Sequence, residues 1–485
     1  MNQYDAISPL DYRYYGDNPS FFARLKPYVS EAAYIDYSLK VELALVRLLA
    51  KYGICSPRVA DEVEKAIPTI PAAEVYEEEH RVHHNIRALV NCIRKRISPE
   101  SQPYVHLFAT SADVMDTASA LRYKELVRDI LLPDLIDLQD VLIKLARKHA
   151  YDVQIGRTHG QHAVPTTFGY AMALYVSRIG SRIRAIDTAH RNLRGQMSGA
   201  VGAFNSWSLF DADDPAKYEV ELLADLGLKP SDTSVSTQIV EPEALVDLVH
   251  AVVSCFSVLA NLADDVRNLM RSEIAELLDT YDDQEVGSST MPHKMNPKNF
   301  ENVKSLWKEF MPRIVTVYMD QISEHQRDLT NSASGRFVPE FFTGFAYAVF
   351  RMSDALGKVT TNTIKMREHV EASKHLVAAE PLYIVLALQG YPNAYDVVMR
   401  LSRESRRTGS KLLDRAWQEP GLASLLERLP KHHKDILEDP ALYIGDAPGR
   451  AIATCDYWEL QSNQIRNALV ADAENQKEHA YAFGS

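Results

Sequence analysis

Residues 287–297 read GSSTMPHKMNP, and the reading of this stretch decides how the rest of the chain is understood. Its eleven positions hold two serines, two prolines, a histidine, a lysine and an asparagine. Gly287 admits backbone angles that other residues resist, while Pro292 and Pro297 fix φ and interrupt regular helix. The stretch is therefore a shaped loop. An acidic segment, YDDQE at 281–285, precedes it, and a long helical run follows. Lys294 beside small hydroxyls suits a place where negative charge is bound or develops. Taken alone, an ordinary polar surface loop explains the stretch equally well.

Outward from the loop the background is helical. Leu131, Leu135, Leu138, Leu142 and Leu145 recur at spacings of three and four, the stripe of a helix face. Pro133 lies inside that run and predicts a kink. Long helices are expected over 166–184, 244–278 and 302–322. Strand signals are few and short, so the expected class is all-α. No GxxxxGK[ST] or GxGxxG pattern is present, which disfavours a nucleotide-hydrolysing or dinucleotide-binding domain. Breaks are expected near 108–112 and 362–371. They divide the chain into an N-terminal helical domain (1–111), a central long-helix bundle (112–364) and a small C-terminal helical domain (365–485).

Composition narrows the function. A net charge of −12 over 485 residues argues against a general nucleic-acid binder, while leaving room for a local cationic pocket. Cys55, Cys92, Cys255 and Cys455 are scattered without CxxC pairing, as expected of reduced thiols in a cytoplasmic protein. The N-terminus lacks the basic start and apolar core of a signal peptide. Residues 245–263 imitate a membrane span but carry Asp247, His250, Ser254, Ser257 and Asn261. A helix buried in a large bundle is the expectation, with no membrane partner.

Four more polar clusters interrupt the helices. Residues 77–85, EEEHRVHHN, place His80 and His84 four apart on a helix, but the pattern of a zinc site is missing. Residues 106–117, HLFATSADVMDT, read as a helix N-terminus at Thr110 and Ser111, which is a capping site and also a ready anion site. Residues 156–169, GRTHGQHAVPTTFG, set His159 and His162 among glycines, where an imidazole is a candidate general acid or base. Residues 326–336, QRDLTNSASGR, flank three hydroxyls with Arg327 and Arg336, a set suited to phosphate or carboxylate. Surface salt bridges are the ordinary alternative for either arginine.

Together these clusters resemble the fumarase/aspartase superfamily, whose signature loop has the form GSSxMPxKxNP. The other clusters fall in the superfamily's order, with SGAVGAF at 198–204 between them. Finer features resemble the adenylosuccinate lyase family, of the longer bacterial type. They are SPLDYRYYG at 8–16, the histidines at 83–84, Gln238 in its TQI triplet, FEN at 300–302 and QRDLTNSASGR. The resemblance covers essentially the whole chain. It implies a three-domain fold around a long central bundle, a homotetramer with sites shared between subunits, and β-elimination of fumarate from adenylosuccinate to give AMP. The purine-pathway succinocarboxamide ribotide is an implied second substrate.

The resemblance also implies roles. Ser288 is the base, Lys294 and Asn296 steady the carbanion, and His159 is the acid, oriented by Glu301. His84 and His106 contact substrate, with Thr110, Ser111 and Gln238 holding the succinyl part, and Ser289, His83 and Asn85 are further substrate-binding positions. Arg13, Tyr14, Arg327, Ser332 and Arg336 hold phosphate, and Asn302 is a further substrate-binding position. Two departures stand out. Asn85 replaces the family's usual aspartate after His84, and His83 replaces an asparagine. No metal or organic cofactor is implied, since elimination needs only acid, base and charge stabilisation. His159 and Ser288 are expected on long helices of one bundle. The alternatives are another fumarate-releasing or cycloisomerase member, and a non-catalytic structural protein on the same scaffold.

Overall fold

The structure, a computed structural model, describes residues 6–280 and 287–482. The acidic stretch 281–285 lies outside them. Helix Glu31–Lys51 is the first long element, and the first helix of the central bundle, Ser111–Leu126, begins where Thr110 and Asp113 form a capping box. A wide π turn, Val127–Leu131, follows, and helix Leu132–Lys148 continues the direction. Pro133 explains the wide turn. It has no N–H to give to the carbonyl one turn back, so the chain widens there instead of breaking.

The central bundle adds helices Phe168–Arg191, Glu243–Leu269, Lys298–Phe310 and Val338–Lys358. Glu243–Leu269 packs against Phe168–Arg191 on one side and Lys298–Phe310 on another. It is the one helix among the described residues long and apolar enough to cross a membrane, and Val249, Val252, Cys255, Phe256, Leu259 and Leu262 are fully buried in the bundle. The expected run 244–278 ends early. After Leu269 the chain turns back, with Ala275 at φ 49°, and the Glu276 N–H donates to the Leu269 carbonyl at 3.0 Å. The expected helix 302–322 is divided at Pro312 into Lys298–Phe310 and Arg313–Met319, again because proline cannot donate to the ladder.

Two small antiparallel pairs interrupt the helices. Val153–Thr158 pairs with Gln161–Thr167, and Leu277–Leu278 pairs with Thr360–Thr361. Leu382, Leu386, Leu401, Leu412 and Leu422 form a smaller core apart from the main one. The last helix, Ala447–Ala482, packs back along Phe168–Arg191 and Leu132–Lys148. Its Trp458 lies against Gly180, where an added Cβ would stand 2.2 Å from the indole. Arg147 holds the same helix through Asp456 and Glu459 at 2.6 and 2.7 Å. Gly180→Ala should therefore lower thermal stability by about 1–3 kcal/mol through overpacking, read as a fall in the midpoint of circular-dichroism melting. An unchanged midpoint would show that the helix does not depend on this contact.

Candidate active site

One group of polar residues gathers at the N-terminal end of Glu243–Leu269. His84 caps helix Asn85–Arg94, its Nδ1 accepting from the Arg87 N–H at 3.3 Å. Its Nε2 lies 3.4 Å from the Ser111 hydroxyl. Asp113 accepts backbone N–H groups from Thr110 at 2.8 Å and from Ser198 and Gly199 at 3.1 Å each. That carboxylate clamps the 198–204 loop onto the helix start. Gly202 is required in this loop: its φ is 75°, and a Cβ would stand 2.4 Å from the Thr237 carbonyl. Gln238 donates its side-chain amide to the Ala200 carbonyl at 3.1 Å and its backbone N–H to Gln326 at 3.1 Å. The second bond brings the segment of Arg327, Ser332 and Arg336 to the same end. Asp116 accepts the Val240 N–H at 3.1 Å and feels the charge of Arg327.

His106 stands beside this group with φ 65°, its Nδ1 2.7 Å from the buried Glu42 carboxylate. Burial opposes the imidazolium, but the Glu42 hydrogen bond and charge outweigh it and raise the pKa. His83 ends the preceding helix in the left-handed region. Asn85 faces inward, its amide 3.1 Å from the Met115 sulfur and 3.5 Å from the Tyr34 hydroxyl, with the Arg122 guanidinium over the Tyr34 ring. Burial pushes the Asp113 and Asp116 carboxyls up to about 6 and that of Glu219, which accepts the Met197 N–H at 2.9 Å, up to about 7.

A second group gathers at the other end. His159 is not on a helix, contrary to expectation. It occupies the two-residue turn of the 153–167 hairpin, where His159 and Gly160 have φ 54° and 72°. Positive φ at both positions is what a tight hairpin turn matching strand twist demands. A bulge between Ile155 and Arg157 turns the strand at Gly156, where a Cβ would meet the Val164 carbonyl at 2.6 Å. Ser288 likewise lies in a loop. Its Oγ accepts the backbone N–H groups of Thr290 and Met291 at 3.3 and 3.0 Å. Asn296 closes the loop base on the Gly287 carbonyl at 2.8 Å, while Ser289 and Lys294 are exposed. Arg351 donates to Asn302 at 2.7 Å, and the Asn302 amide lies 3.5 Å from the Tyr14 hydroxyl, which brings Arg13 and Tyr14 to this end. Glu301 is exposed, and no hydrogen bond joins it to His159 among the described residues.

The two groups are held apart. The 27-residue helix between them is roughly 40 Å long at 1.5 Å per residue. His84, Ser111, Gln238 and Arg327 stand at one end, and Ser288, His159 and Tyr14 at the other. Sequence reasoning missed the residues that fix these groups: Glu42, Asp116, Glu219, Glu276, Arg351 and His369. Glu276 alone left a trace, as an acid inside the otherwise apolar run 274–278.

The family described as Lyase matches residues 13–309, and the one described as Adenylosuccinate lyase C-terminal matches 323–422. A fumarate lyase from Mesorhizobium sp. BNC1 shares the fold, with a TM-score of 0.78 and 22% identity over 90% of this chain and 97% of its own. The chain is also similar to the adenylosuccinate lyase of Pyrococcus horikoshii, at 34% identity over 91% of this chain and 96% of that protein. The relative from Archaeoglobus fulgidus is 32% identical over 92% and 97%. The chain belongs to the adenylosuccinate lyase family of fumarase/aspartase lyases.

The raised carboxyls give a pH prediction. A carboxyl whose folded pKa lies above its unfolded one adds stability below the unfolded value and loses it as pH rises through the folded value. Glu219→Gln keeps an acceptor for Met197 and removes the buried charge. Its thermal stability should exceed that of the parent by on the order of 2 kcal/mol at pH 8, with the gap closing toward pH 5. Melting curves across that range check it, and a gap that widens on acidification would contradict the assignment.

Proposed function

We propose that the protein catalyses β-elimination of fumarate from adenylosuccinate, releasing AMP, and acts on the related succinocarboxamide ribotide. Membership of the adenylosuccinate lyase family supports the reaction. The observation that carries the mechanism is the pair of backbone N–H groups aimed at the Ser288 oxygen. The same geometry ties a simple serine turn, but two fixed donors also stabilise an alkoxide at no reorganisation cost. Ser288 takes the proton from the carbon beside a carboxylate. Lys294 and Asn296 stabilise the resulting charge. The C–N bond breaks, its electron pair goes to the nucleotide nitrogen, and His159 supplies the proton there. Glu301 and His84 assist the acid and orient substrate. Thr110, Ser111 and Gln238 contact the succinyl side, Arg13, Tyr14, Arg327, Ser332 and Arg336 the phosphate side, and His83, Asn85, His106, Ser289 and Asn302 also contact substrate.

The protein acts as a homotetramer in the cytoplasm, each site built from several subunits. A rod of roughly 40 Å between the two residue groups supports this reading, because it keeps one chain from closing a site alone. Exposed apolar side chains on the bundle surface, among them Leu174, Val315, Met319 and Ile322, support it as well.

Adenylosuccinate added to the purified protein should lose its ultraviolet signature as AMP forms, and an unchanged spectrum would sink the proposal. Ser288→Ala and His159→Ala should each lower kcat by about a thousandfold or more with assembly intact. Arg327→Ala and Arg336→Ala should each raise KM by roughly 10–100-fold, the worth of a charge-assisted hydrogen bond. Parental KM in both would argue for a substrate without phosphate.

A further inference from the structure

Glu276 is a fully buried carboxylate at the join of three segments. Its Oε1 receives the Arg157 guanidinium at 2.6 Å and faces the Nδ1 of His369 at 2.6 Å. Its Oε2 receives the Gln154 amide at 2.7 Å and a second Arg157 nitrogen at 3.2 Å. Gln154 and Arg157 belong to the hairpin that carries His159 at its tip. His369 lies on helix Thr363–Val377, whose cap residue Asn362 donates its backbone N–H to the Glu276 carbonyl at 2.9 Å. The same helix holds the second strand, since the Ser373 hydroxyl lies 2.5 Å from the Nδ1 of His162.

A two-stranded hairpin has little stability of its own. Its turn also holds a non-glycine residue, His159, in the left-handed region, a conformation that persists only when the surroundings over-determine it. The Glu276 knot supplies that determination two residues from the tip. With both oxygens saturated by protein donors and no exposed surface, the carboxylate has no position left for substrate. We propose that Glu276 is a positioning residue for the elimination: acting through Arg157, it fixes the hairpin so that His159 delivers its proton along the required line. Gly156 is part of the device, because the bulge there lets the Arg157 side chain meet the buried acid. The inference rests on the reading of His159 as the acid.

Misplacing a catalytic group by about 1 Å costs on the order of a hundredfold. Glu276→Gln should therefore lower kcat by about 10–100-fold while KM stays within about threefold, with the assembly and the circular-dichroism spectrum unchanged. Combined with His159→Gln, it should add almost nothing to the loss from His159→Gln alone, measured with enzyme in excess over adenylosuccinate. Ser373→Ala removes the uncharged hold on the hairpin, a hydrogen bond to the exposed His162, and should lower kcat a few-fold without raising KM. It serves where Glu276→Gln does not fold. Full turnover in a folded Glu276→Gln, a loss that falls on KM, or losses that multiply in the double variant would each overturn the proposal. If His159→Gln itself keeps parental turnover, the acid assignment fails and this inference with it. If His159→Gln is inactive and Glu276→Gln is not, only the positioning role fails.

Discussion

The packing of helix Glu243–Leu269 is the constraint on which the rest depends. Its buried face is continuous and apolar from Val246 to Val266, and neighbouring helices cover it on more than one side. Burial at about 25 cal/mol per Å² of apolar surface makes this the stable axis of the molecule. A rigid axis has a geometric consequence. The loops that leave its two ends start roughly 40 Å apart, the length of the helix. On the proposed function, chemistry that needs residues from both ends is assembled between chains.

At each end, the polar residues are held by backbone devices as much as by side-chain contacts. Asp113 and Asp116 bind main-chain N–H groups of the loops that approach Ser111–Leu126. Non-glycine residues with positive φ include His83, His106, His159 and His325. Such residues are uncommon, and strain of this kind collects at functional sites. Here it falls on or beside positions singled out for substrate contact or proton transfer. The bundle supplies stability, and the loops draw on it to hold conformations they would not adopt alone.

The helical class was legible because leucines at spacings of three and four leave a strong periodic signal. The signature loop was legible because its glycine, prolines and lysine resist any purely structural account once the other clusters are beside it. The hairpin was harder to read. Val153, Ile155, Val164 and Thr166 give too short an alternation, and its turn is His-Gly where Asn-Gly is the stronger signal. The clamp was not legible as a unit, although Glu276 stood out as an acid in the apolar run 274–278. Gln154, Glu276 and His369 meet only in the fold, and no local pattern ties such distant positions. Helix ends failed for local reasons: Pro312 divides one run, and the left-handed Ala275 closes the turn after another.

The most direct test of the central claim uses two variants, each disabled at one end of the axis. Ser288→Ala and His84→Ala are purified separately, each nearly inactive, then mixed under conditions that let subunits exchange. If sites are built across chains, some mixed assemblies pair an intact Ser288 with an intact His84, and activity should rise to about a quarter of the parental level by random pairing in a symmetric oligomer. Subunit exchange with no recovery of turnover would mean that one chain closes its own site, and the account would be wrong.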